Sequence, residues 1–121
     1  MKGTQLFMVK RKNKGYCQEY FQGEIDDMPV IFSHEYYVKN GRCSMMKNYP
    51  VALVDDIVVV HFKINVKNCW KYSFHHVRSG MLGKIIEIRS DSFIFLEKRF
   101  DVIVSPIRIY HNDIAKISKF K

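Results

Sequence analysis

Ser79-Gly80-Met81-Leu82-Gly83-Lys84-Ile85-Ile86-Glu87-Ile88-Arg89-Ser90-Asp91-Ser92-Phe93-Ile94-Phe95-Leu96-Glu97 is the stretch whose reading decides the fold. Gly80 and Gly83 bracket a tight bend. Ile85, Ile86 and Ile88 then form a strand. Ser90-Asp91-Ser92 is a turn, because short polar side chains bond back to their own backbone. Phe93 to Leu96 is the returning strand, built from β-branched and aromatic residues that suit a pleated surface.

Upstream, Val54-Asp55-Asp56-Ile57-Val58-Val59-Val60 is a polar bend feeding a strand. An acidic bend and strand, then Gly-x-x-Gly-Lys-Ile, then a hairpin, resembles the KOW motif of small SH3-like barrels. The resemblance covers roughly residues 54–97. It implies a small antiparallel barrel of a kind that commonly binds RNA, DNA or a partner in transcription or translation.

The rest of the chain reads mostly as strands. Gln5–Lys10 is a short strand running into a basic turn. Tyr16–Ile25 fits either a helical spacing or a strand, and strand is preferred. Pro29–Val38 and Arg42–Met46 flank Asn40-Gly41, a strong hairpin signal. Val102–Tyr110 is a strand whose Pro106 suits an edge or a bulge. His111-Asn112-Asp113 is a turn, and Ile114–Ile117 a closing strand or a single helical turn. The expected fold is therefore mainly β: residues 51–121 form an SH3-like barrel, and residues 1–50 a β-hairpin region packed on it or extending it. Ile57, Val59, Ile86, Ile88, Phe93, Phe95 and Ile107 are the candidate core.

Composition limits the class. The 121 residues are 47% hydrophobic and 14% aromatic, with few Gly and Pro, which suits one folded domain and argues against disorder. No window is long and apolar enough to cross a membrane, and the first residues do not read as a signal peptide. Cys17, Cys43 and Cys69 are odd in number and widely spaced, which fits free thiols in a reducing cytoplasm. The Phe, Tyr, Lys, Asn and Ile content suggests an AT-rich coding genome, suiting a small phage-type or bacterial regulator of transcription or translation.

Charge is segregated within a net +8. Residues 1–14 carry five basic side chains and no acid; residues 15–60 carry three basic and seven acidic, a local net of −4; residues 61–84 carry five basic and none acidic. Such a polarised chain suits an anionic partner.

The segment Val60–Lys84 interleaves Lys63, Lys67, Trp70, Lys71, Tyr72, His75, His76, Arg78 and Lys84. Cations neutralise phosphates and release counterions, and aromatic faces stack on unpaired bases. These residues are expected to form one positive face, with Trp70 or Tyr72 exposed upon it. The alternative is that Trp70, Tyr72 and Phe74 alternate as the inward side of a strand. Lys10, Arg11, Lys12 and Lys14 add a second basic cluster, which also reads as a soluble hairpin tip or a localisation signal.

Function thus narrows to a non-enzymatic nucleic-acid-binding module, RNA or DNA, with neither cofactor nor metal. The alternative is a protein-interaction module that binds an acidic partner. A third reading is a nuclease-like enzyme holding a divalent ion on Asp26-Asp27 or Asp55-Asp56 with His75 or His76. Paired acids more often shape turns, and the cysteines and histidines lack the spacing of a zinc site.

Overall fold

A computed structural model describes residues 15–64, 66, 72, 77, 78, 80–98 and 105–120. The strand expected at Gln5–Lys10 and the basic cluster after it lie outside these residues. The elements are β1 (Gly15–Ile25), β2 (Met28–Lys39), β3 (Arg42–Leu53), β4 (Ile57–Phe62), β5 (Met81–Ile88), β6 (Ser92–Glu97), β7 (Ile107–Tyr110), a 3-10 turn at His111–Asp113, and β8 (Ile114–Lys119). Among the described residues no helix is long and apolar enough to cross a membrane.

The strands build two antiparallel sheets, one ordered β1-β2-β3 and the other β7-β6-β5-β4-β8. The Asn-Gly hairpin is as expected: Asn40 and Gly41 both have positive φ, 54° and 77°, which a two-residue turn matched to the strand twist requires. Asp26 and Asp27 do the same between β1 and β2, with φ of 53° and 64°. Asp55, at φ 78°, donates its amide to Ile85 O, while Asp56 accepts the Leu53 amide on Oδ2 at 2.8 Å. Both acidic pairs are turn formers.

The expected hairpin pairs β5 with β6, with Ile85 opposite Phe95 and Ile88 opposite Phe93. Gly80 sits at the turn entering β5, with φ of 80°. Gly83 does not bracket that bend; it lies buried inside β5 against the Phe95 ring.

Two expectations are corrected. The five-stranded sheet is open: β7 and β8 are its edges, and among the described residues no ladder joins them. Its apolar face is covered instead by the second sheet, since Tyr20, Ile31 and Ala52 join Val58, Val60, Ile85, Phe93, Phe95 and Ile109 in one core. β3 ends at Leu53, and the bend after it leads into β4 of the five-stranded sheet. The candidate core is also partly off by one. In β4 the buried residues are Val58, Val60 and Phe62, not Ile57 and Val59; in β5 Ile85 is buried and Ile86 is 41% exposed. A one-residue slip exchanges the faces of a strand, and a bulge between Ile85 and Glu87 resets β5 so that Ile88 returns to the core.

His111 stacks on Phe93 with ring centroids 6.0 Å apart and is buried, its Nε2 without a hydrogen-bond partner among the described residues. Burial lowers its pKa below the ordinary 6.5, opposed more weakly by Asp91 and by a bond to the Ser90 backbone. The imidazole is thus neutral in the fold, while the unfolded chain takes a proton more readily. Its contribution to stability should be complete above pH 6.5 and fall as the pH drops from there toward the lowered folded value. Urea midpoints measured between pH 7.5 and 5 should show this decline, and His111→Phe should flatten it. An unchanged slope in that variant would assign the decline to other groups.

Candidate nucleic-acid interface

Of the residues expected to form the basic, aromatic face, Lys67, Trp70, Lys71, His75, His76, Lys10, Arg11, Lys12 and Lys14 lie outside the described residues. Lys63, Tyr72, Arg78 and Lys84 can be placed.

Tyr72 is not a stacking surface. It is 1% exposed, its ring meets Phe62 and Tyr110 edge-on, its hydroxyl donates to Asp113 Oδ2 at 2.8 Å, and the same hydroxyl accepts the Tyr110 amide at 3.0 Å. Tyr72 itself faces inward; Trp70 and Phe74, with which it was expected to alternate, lie outside the described residues. A buried tyrosine needs partners for its hydroxyl, and β7 with the 3-10 turn supplies them.

Lys63 and Lys84 are exposed but far apart. Lys84 pairs in register with Ile57, at the start of β4, whereas Lys63 follows the end of β4. Six residues at about 3.3 Å each separate them by about 20 Å. Lys84 also approaches Asp55 at 3.5 Å, and Arg78 forms an ion pair with the buried carboxylate of Glu97. These residues do not by themselves gather into one face.

A different set does converge, on the β1-β2-β3 sheet. Opposite residues of an antiparallel ladder share a face. Register therefore puts Tyr16 with Tyr37 and Ser44, Gln18 with Glu35 and Lys47, Tyr20 with Ser33 and Tyr49, and Lys39 with Arg42. At the Tyr20 end this face enters the core, where Tyr20 Oη accepts the Ile117 amide at 3.2 Å. Toward the Asn40-Gly41 turn it leaves the core, and Tyr16 is 58% exposed. Glu35 sits at its centre. Tyr16 donates to Oε1 at 2.5 Å, and Tyr49 and Gln18 donate to Oε2, the latter at 3.2 Å. The Tyr16 and Tyr49 hydroxyls hold the Glu35 carboxyl below the usual carboxylate range, with Lys47 adding a smaller push the same way. In turn both hydroxyl pKa values are raised, so the tyrosines stay protonated. Lys47 Nζ stands 5.5 Å from the centre of the Tyr49 ring.

This network was hidden in the sequence because its members come from three strands and lie in the acidic segment. The alternations Tyr16-x-Gln18-x-Tyr20 and Glu35-x-Tyr37-x-Lys39 were the available signal. Among the described residues no group of three or more His, Cys, Asp or Glu side chains is placed to hold a metal ion. Comparison with family models, curated proteins and solved structures gives no match to this chain.

Proposed function

We propose that this protein is a non-enzymatic module that binds nucleic acid, chiefly through the backbone. One observation carries the reading: among the described residues the fold engages most of its acids, yet leaves six exposed cations without an ion pair. Asp55, Asp56, Glu87, Asp91 and Glu97 form ion pairs, while Glu19, Glu35 and Asp113 accept tyrosine hydroxyls. Lys39, Arg42, Lys47, Lys63, Lys98 and Lys116 form no ion pair with a described carboxylate. Together with the formal net charge of +8, these cations suit an external polyanion. The turn role of both aspartate pairs supports binding over a metal-dependent nuclease. The β5–β6 hairpin and the turn glycine at Gly80 support kinship with small SH3-like barrels, here in an open form.

A second reading, a protein-interaction module, has one observation in its favour. Ile25, Met28, Pro50, Val51 and Leu53 line an apolar cleft of about 330 Å³ beside the Asp26-Asp27 turn. The two readings differ in salt dependence. Backbone binding to nucleic acid should weaken linearly in log–log form, by about 0.7 per contacted phosphate for single strands and about 0.9 for duplex. Titrating labelled RNA, single-stranded DNA and duplex DNA between 50 and 300 mM salt should give a steep slope with at least one of them. A flat slope, or no binding to any, would remove the nucleic-acid reading.

A further inference from the structure

We propose that the outer half of the β1-β2-β3 sheet, bearing Tyr16, Tyr37 and Tyr49 with Lys39, Arg42 and Lys47, is a platform on which single-stranded nucleic acid stacks its bases. The inference rests on the nucleic-acid reading above and gives it a site that the basic segment around Trp70 does not supply.

Three features point the same way. The rings are spaced for successive contacts: Tyr16 and Tyr37 are direct cross-strand neighbours, and Tyr49 lies opposite Ser33, four residues along β2 from Tyr37, or about 13 Å. Tyr16 is exposed and Tyr37 and Tyr49 are half-buried; accessible ring faces on a sheet can stack unpaired bases, which a paired duplex cannot offer. The charge is complementary to a phosphate chain. Lys39, Arg42 and Lys47 are exposed and form no ion pair with a described carboxylate; Lys39 and Arg42 border the rings on the side of the Asn40-Gly41 turn, and Lys47 lies opposite Glu35 beside Tyr49.

The third feature is Glu35, a carboxylate amid the rings. It would repel phosphate if free, but it is held by Tyr16, Tyr49 and Gln18 across all three strands. Those bonds occupy the carboxylate oxygens, although the charge remains, and they tie two rings to the sheet, so less side-chain freedom is lost on binding. Glu35 is therefore a positioning residue for the rings.

The test uses the full chain and fluorescence anisotropy with labelled (dT)12, (U)12 and a short DNA hairpin duplex. Tyr16→Ala should weaken binding to the single strands about five- to hundredfold, the range for losing one stacked base, and leave the duplex little changed. Tyr16→Phe keeps the ring but loses its bond to Glu35, so it should weaken single-strand binding less than Tyr16→Ala does. Lys39→Gln with Arg42→Gln should weaken all three probes and make the single-strand salt slope shallower by about 1.4, or about 0.7 per lost contact. Tyr16 is well exposed, so its alanine variant should retain the wild-type circular dichroism. Tyr37→Leu provides a second ring removal. The better of (dT)12 and (U)12 identifies the polymer.

If wild type binds the single strands and both ring variants bind equally well, the platform is wrong and the nucleic-acid reading survives. If the folded wild type binds none of the probes, both fall. If poly-glutamate displaces (dT)12 or (U)12 as readily as the unlabelled strand does, binding is plain polyanion exchange, and the platform is overturned in favour of an acidic partner.

Discussion

Phe95→Ala is expected to lower the unfolding free energy by about 3–5 kcal/mol, the range for emptying a buried phenylalanine site. Phe95 has no exposed surface, and its ring meets Phe93 edge-on at 6.2 Å. It also covers Gly83 on β5, so it packs the β5–β6 hairpin along its length. Little can collapse into the space it leaves. Backbone hydrogen bonds fix both strands, and Ile85 lies directly opposite in register. The loss should appear as a shift in urea midpoint at unchanged slope. A midpoint within experimental error of wild type would mean that this hairpin does not anchor the core.

The hairpin was readable because its signals are local and agree. Ser90-Asp91-Ser92 forms the turn, with the Arg89 amide donating to Ser92 O at 2.7 Å, and Phe93 and Phe95 both face inward. Asn40-Gly41 was legible for the same reason. The inward side of β4 was not. Ile57 to Val60 are all apolar and β-branched, so alternation gives no contrast between faces. The second sheet decides the matter by covering Val58 and Val60.

The candidate site shows the same limit more sharply. Tyr72 looked like an exposed aromatic among lysines, yet it is fixed by Asp113 and Tyr110, partners 41 and 38 residues away in sequence. Conversely, the local net of −4 over residues 15–60 concealed a basic, aromatic face. Most of those acids are engaged within the fold, and Glu35 is tied to tyrosine hydroxyls. Net charge summed along the chain reports neither which carboxylates are occupied nor which side chains share a sheet face. Register supplies both.

Gly83→Ala should be nearly as damaging, costing about 3 kcal/mol, at the upper end of ordinary overpacking. A Cβ at this position would lie 2.5 Å from Leu96 O and 2.5 Å from the Phe95 ring. The two obstacles differ in kind. The ring belongs to a side chain that can be shortened. The carbonyl belongs to the β6 backbone, which is held in place because Gly83 pairs with Glu97 and the Lys98 amide donates to Leu82 O at 2.9 Å. A double-mutant cycle with Phe95→Leu separates them. Shortening the ring should recover less than half of the alanine penalty, because the carbonyl clash persists. Full recovery would show that the ring alone requires glycine here. A Gly83→Ala variant within about 0.5 kcal/mol of wild type, the usual scale of a harmless surface change, would show that β5 and β6 are not packed this closely. The glycine that first suggested a bend would then have no packing role in the strand.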